Sequence, residues 1–77
     1  MTERLNEKLR VASIVLRELR EGPMRWTPLL KATIEGSPSP WKAENIIGWL
    51  RRKGYIERPE RGLYVITEKG RRFLETL

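Results

Sequence analysis

Two polar side chains in the middle of the chain, the amide of Asn45 and the guanidinium of Arg52, can form directional hydrogen bonds. Their spacing corresponds to about two helical turns, so both lie on one side of a helix, with Gly48 between them. An asparagine amide can pair with the Hoogsteen edge of adenine, and an arginine with O6 and N7 of guanine. A glycine between them would let the helix backbone come close to a duplex. The pattern is typical of a helix that lies in a DNA major groove.

Other kinds of chemistry are poorly represented. The chain contains no cysteine and no histidine, which excludes disulfides, thiolate zinc sites, thiol nucleophiles and imidazole acid–base catalysis. Every acidic residue is a glutamate, and none stands in an apolar or glycine-rich setting that would tune its acidity. Because no nucleophile–base pair or metal-ligand set is present, the sequence predicts neither an enzyme nor a metal or cofactor site.

The charge of the chain favours a polyanionic partner. The formal net charge is +6 and the sequence pI is about 10.3. A small basic domain gains affinity for nucleic acid when its cations neutralise phosphates and release counterions. Residues 41–61 hold six basic residues against three acidic ones, so half of the net charge lies in this segment.

The segment around Asn45 predicts a helix over residues 40–53, with Ser39 as its N-cap and Pro40 at its first position. Its apolar positions fall on one face, which should meet the core: Ala43, Ile46, Ile47 and Leu50. Trp41 lies opposite that face, while Lys42 and Trp49 flank one edge. Packing against the protein is favoured over DNA contact for Trp49, and the place of Trp41 stays open between a loop contact, DNA and a partner chain.

Two further helices are expected before this one. Residues 2–21 carry an apolar stripe at helical spacing, and Gly22-Pro23 ends that helix. Val11 and Ile14 fall outside the stripe, which fits either a helix buried on several sides or a dimer surface. A brief extended stretch is expected at residues 24–26. Thr27 should then cap a second helix, with Pro28 at its first position and its end at Glu35-Gly36.

After residue 54 the pattern changes to that of a hairpin. Residues 55–58 and 63–66 are rich in β-formers and flank a turn at 59–62 that contains proline and glycine. Arg58 and Arg61 flank the turn, where a minor-groove or phosphate contact is expected. Thr67 should cap a last helix that runs from Glu68 to about Thr76. The sequence therefore predicts a mainly α fold with a small β-hairpin (α+β), as one domain over residues 1–77.

Two consecutive short helices followed by a hairpin form a helix-turn-helix with a wing. A resemblance to a known family lies in residues 54–57 and 63–74, which include the segment Tyr64-Val65-Ile66-Thr67-Glu68-Lys69-Gly70. This part of the chain resembles the wing and last helix of prokaryotic winged helix-turn-helix regulators, and is closest to small archaeal ones. The MarR and PadR types share the pattern of tyrosine, an aliphatic residue, threonine and glycine. The resemblance implies a winged-helix fold that binds duplex DNA. Many such regulators also carry a coiled coil or a ligand-binding domain, which residues 1–77 do not show, so no small-molecule ligand is evident from the sequence.

These observations predict a double-stranded DNA-binding protein, a transcriptional regulator acting as a homodimer. The expected DNA-binding residues are Ser39, Trp41, Lys42, Asn45, Trp49, Arg52, Arg58 and Arg61. The expected dimer surfaces contain Val11, Ile14, Phe73, Leu74 and Leu77.

Two other functions stay open at this point. One is a protein-assembly module anchored by Trp41 and Trp49, and the other is a chromatin-type DNA binder with little base preference. The sequence contains no transmembrane segment or signal peptide, so a cytoplasmic protein with no membrane partner is expected.

Overall fold

The described part of the chain folds into four helices and a three-stranded antiparallel sheet. The computed structural model describes residues 2–36 and 40–77, with the side chains of residues 7–36 and 43–77. The elements are α1 (Thr2–Arg20), β1 (Met24–Arg25), α2 (Trp26–Glu35), α3 (Pro40–Arg52), β2 (Ile56–Glu60), β3 (Leu63–Ile66) and α4 (Glu68–Thr76). The predicted element order and the mainly α class with a small hairpin are confirmed. Ser39 lies outside the described residues, and for Trp41 and Lys42 only the backbone is described.

Helix α1 lies at the centre of the fold and contacts α2, α3, α4 and β3. Because neighbours surround it, it is apolar on more than one side. Val11 is only 1% exposed and Val15 is fully buried, as are the stripe residues Ala12 and Leu16. Val11 therefore belongs to the core, and its assignment to a dimer surface is wrong for this protomer.

Strand β3 lies between the other two strands, in the order β1–β3–β2. The hairpin turn is formed by residues 61 and 62. Gly62 has a φ of +77°, a backbone conformation that is strained for residues with a side chain. Strand β2 covers residues 56–60 rather than the predicted 55–58, and it includes Pro59. It is an edge strand with an irregular register between Glu57 and Glu60, so the missing proline N–H breaks no ladder hydrogen bond.

The start of α2 also differs from the prediction. The helix begins at Trp26, with Arg25 as its N-cap and no side-chain cap, rather than at Thr27-Pro28. The Trp26 N–H donates to the Gly62 carbonyl at 2.8 Å, so a contact with the hairpin turn fixes the start of the helix. Pro28 still lies in the first turn, where a helix has no internal acceptor for its N–H groups.

The start of α4 is held against the end of α3. Thr67 is the N-cap, as predicted: its hydroxyl accepts from the Gly70 N–H at 3.0 Å and donates to the Gly54 carbonyl at 2.6 Å. A Cβ built on Gly70 would overlap the Tyr55 carbonyl oxygen and lie 2.9 Å from Ile66 Cγ1. The threonine and glycine of this segment are therefore explained by the packing of α4 on residues 54–55, which we call the α3–α4 joint.

Lys69 adds to the joint, because its Nζ donates to the carbonyl of Lys53, the residue after the end of α3, at 2.8 Å.

Among the described helices, none combines the length and the apolar character that crossing a membrane requires.

Candidate nucleic-acid interface

Helix α3 has two distinct faces. Its predicted core face is confirmed: Ala43 and Leu50 are fully buried, and Ile46 and Ile47 are 7% and 2% exposed. These side chains belong to the core on the side where α3 contacts α1 and α2. Four buried apolar residues within two turns fix the rotation of the helix about its axis. That rotation decides which side chains reach the surface.

The opposite face carries Asn45, Gly48 and Arg52, which we call the outer face of α3. The side chains of Asn45 and Arg52 are exposed. A Cβ built on Gly48 would meet, among the described residues, only Arg52 Nη1, at an ordinary contact distance of 3.5 Å. Glycine inside a helix costs about 1 kcal/mol relative to alanine. No packing within the described part of the chain explains why glycine occupies this position.

Trp49 does not belong to the outer face. Its ring is half-buried and lies 6.0 Å from the ring of Tyr55 and 6.3 Å from that of Phe73, while Tyr55 and Phe73 stack at 4.2 Å. The ammonium group of Lys8 on α1 lies 4.1 Å from the centre of the Trp49 ring. Trp49 thus joins α1, α3 and α4 in an aromatic cluster, which supports packing against the protein over DNA contact for this ring.

The β2–β3 hairpin presents both predicted arginines to solvent. Arg58 and Arg61 are exposed, and neither forms an ion pair within the described residues. Glu57 and Glu60 are exposed on the same hairpin, which is therefore neutral overall. The positive charge of the segment comes instead from the end of α3, where basic residues also interact favourably with the helix dipole. These are Arg51, Arg52 and Lys53, all exposed.

Sequence reasoning missed one basic residue beside the hairpin. Arg25 is exposed, and its Nη1 donates a long hydrogen bond of 3.5 Å to the Arg61 carbonyl. Its position depends on the pairing of β1 with β3, in which Arg25 is opposite Leu63. A strand of two residues has no periodicity that a sequence pattern could detect, so nothing in the sequence indicated this site.

The remaining residues proposed for a dimer interface differ in exposure. Leu74 is 8% exposed and belongs to the core, and Phe73 is half-buried in the aromatic cluster. Ile14 is half-buried and packs on the end of α2, where a Cβ at Gly36 would approach its Cδ1 to 2.8 Å. Leu77 is 43% exposed. It borders an open depression of about 300 Å³, together with Leu9, Arg10, Ser13 and Thr76.

Within the described residues, no group of three acidic side chains is placed to hold a metal ion.

Comparison with protein-family models, curated proteins and solved structures found no match to this chain.

Proposed function

We propose that this protein binds double-stranded DNA as a winged helix-turn-helix transcriptional regulator. In this proposal α2 and α3 are the helix-turn-helix, α3 lies in the major groove, and the β2–β3 hairpin is the wing on the adjacent backbone or minor groove. The observation that carries the proposal is the outer face of α3. It combines an exposed amide, an exposed guanidinium and a glycine whose only close neighbour among the described residues is that guanidinium.

The chemistry of this face suits base readout. Asn45 offers a donor and an acceptor from one amide, which matches the adenine edge, and Arg52 offers paired N–H donors that match guanine. Gly48 leaves the helix surface low between them, so the backbone of α3 can approach the floor of the groove. The opposite face is packed into the core, which fixes the rotation of the helix that carries these groups before DNA arrives.

The net charge of +6 supports a nucleic acid over a protein partner. A protein helix could also approach Gly48, but the basic residues at the end of α3 would then need an acidic partner surface. Phosphates supply that negative charge on every duplex, and charge neutralisation accounts for most non-specific affinity.

Titration of fluorescently labelled duplexes at several salt concentrations, followed by anisotropy, tests the proposal. Random and genomic duplexes are compared from roughly 50 to 300 mM salt, a range over which phosphate contacts weaken strongly. Absence of binding at the lowest salt would refute DNA binding and favour the protein-assembly function. Equal affinity for all duplexes with a steep salt slope would favour the chromatin-type function.

Variants of the outer face then test base readout. Asn45→Ala and Arg52→Ala should each relax discrimination at particular base pairs, by about 1–3 kcal/mol for a preferred site. Arg17→Ala removes an exposed charge from α1 and serves as the matched control. Uniform weakening across all sequences by the first two variants would contradict base readout by this face.

The proposed dimer has one exposed apolar candidate left, the end of α4 at Leu77 beside the depression next to α1. Two protomers would place two copies of α3 on half-sites one helical turn apart. Sedimentation velocity at micromolar concentration should show a dimer that Leu77→Glu dissociates. A wild-type monomer at that concentration would exclude the homodimer.

A further inference from the structure

The backbone of Arg25 is fixed against the hairpin turn. Arg25 pairs with Leu63 at the end of β1, and the next residue, Trp26, donates its N–H to the Gly62 carbonyl at 2.8 Å. The Trp26 ring also lies 5.6 Å from that of the buried Tyr64. Strand pairing, a backbone hydrogen bond and a ring contact therefore hold Arg25 beside the hairpin turn.

The side chain of Arg25 is oriented but keeps its charge uncompensated. Its Nη1 donates to the Arg61 carbonyl, a neutral acceptor, and within the described residues the guanidinium forms no ion pair with a carboxylate. A guanidinium has five N–H donors, so one hydrogen bond leaves most of them available. Because its acceptor is a neutral carbonyl, the guanidinium keeps its positive charge for a further, anionic partner such as a phosphate.

Arg25 also changes the electrostatics of this edge of the protein. The hairpin itself is neutral, because the charges of Arg58 and Arg61 are balanced by those of Glu57 and Glu60. Arg25 adds an exposed cation at the turn without adding a carboxylate. A neutral hairpin has little attraction for a phosphate backbone, whereas a hairpin with a third guanidinium has a net positive charge.

We propose that Arg25 binds a backbone phosphate of the DNA duplex next to the wing turn. The DNA contact surface then extends from the hairpin to β1 and the first residues of α2. This inference rests on the proposed DNA-binding function and assigns to it a residue outside α3 and the wing. As a phosphate contact, Arg25 contributes affinity and fixes the position of the duplex, but it does not distinguish bases.

The salt dependence of DNA affinity tests this contact. Arg25→Gln removes the charge and keeps a polar side chain, although glutamine is two atoms shorter than arginine and loses the long hydrogen bond to the Arg61 carbonyl. Loss of one phosphate contact should reduce the slope of log affinity against log salt by about 0.9. Affinity near 0.1 M salt should fall roughly three- to tenfold for every duplex sequence alike. Arg25→Lys keeps the charge and should retain nearly the wild-type slope.

Arg17→Gln removes the same charge from α1 and should leave the slope unchanged, which separates a local contact from the effect of net charge. If the wild-type protein binds duplex DNA but Arg25→Gln matches Arg17→Gln in slope and affinity, the inference is overturned and the proposed function stands. If the wild-type protein binds no duplex at low salt, the proposed function itself fails.

A second measurement leaves the fold of the protein unchanged. Duplexes with single neutral methylphosphonate substitutions are titrated with the wild-type protein, and each contacted phosphate appears as a loss of affinity. One of these positions should have no effect on the affinity of Arg25→Gln, because its partner charge is absent. If both proteins are sensitive to the same set of phosphates, Arg25 contacts none of them.

Discussion

Replacing Gly48 with alanine should make the free protein more stable and the protein–DNA complex weaker. The free protein gains because alanine costs less backbone entropy than glycine in a helix, and because the built Cβ meets only Arg52 Nη1, at 3.5 Å, among the described residues. With no clash to offset the gain, the free energy of unfolding should rise by about 0.8–1 kcal/mol. For a domain of this size that corresponds to a rise in melting temperature of roughly 4–8 °C.

The DNA affinity should move in the opposite direction. A methyl group at position 48 would stand between Asn45 and Arg52, at the level where the helix backbone approaches the groove. Displacing α3 outward would lose at least one of the two expected base contacts, each of which contributes about 1–3 kcal/mol. The affinity for a preferred duplex should therefore fall by about fivefold or more. Gly48→Leu should deepen this loss while remaining as stable as Gly48→Ala, because leucine is nearly as good a helix former.

Thermal melts of the free protein and anisotropy titrations of a preferred duplex measure both effects on the same samples. A more stable Gly48→Ala variant with unchanged DNA affinity would place DNA elsewhere and refute the role of the outer face. A less stable Gly48→Ala variant would mean that a contact within the protein requires glycine at this position. Only the combination of higher stability with lower affinity supports the reasoning.

Substitutions at three other positions test the packing that positions α3. Gly70→Ala should destabilise the protein by about 1–3 kcal/mol or more in chemical denaturation, because the new Cβ would overlap the Tyr55 carbonyl; unchanged stability would contradict the close packing of the α3–α4 joint. Thr67→Ala should cost about 1–2 kcal/mol and Thr67→Ser much less, since serine keeps the hydroxyl that caps α4 and bonds the Gly54 carbonyl. Trp49→Leu should lower the melting temperature while the folded variant keeps its DNA affinity, whereas a tenfold loss of affinity with the fold intact would mean that this ring faces DNA.

Local signals in the sequence predicted most of the elements and the two faces of α3. Thr67 was correctly predicted as an N-cap because a cap depends on residues within one turn, here Gly70. The core face of α3 was also correct, because four apolar residues at helical spacing leave one possible rotation. The same rotation identified the outer face, because it turns Asn45, Gly48 and Arg52 away from the core.

The differences arose where distant parts of the chain meet. The start of α2 is set by the Trp26 N–H donating to the Gly62 carbonyl, a contact that no local pattern encodes. The place of Val11 was ambiguous because helical periodicity shows that one side of α1 is apolar. It does not show whether another element of the same protomer covers that side. Arg25 was missed for the same reason, since its role depends on a hairpin that begins about thirty residues later.

The position of β3 in the sheet has a consequence for the order of folding. The β2–β3 hairpin closes a short local loop, whereas pairing β1 with β3 joins residues that are far apart, as with Arg25 and Arg61 at a separation of 36. Closing the longer loop costs about 2 kcal/mol more in chain entropy, so β1 should join the sheet after the hairpin has formed. Substitutions at Met24 or Arg25 should then mainly speed unfolding and leave the folding rate unchanged, which corresponds to low φ-values.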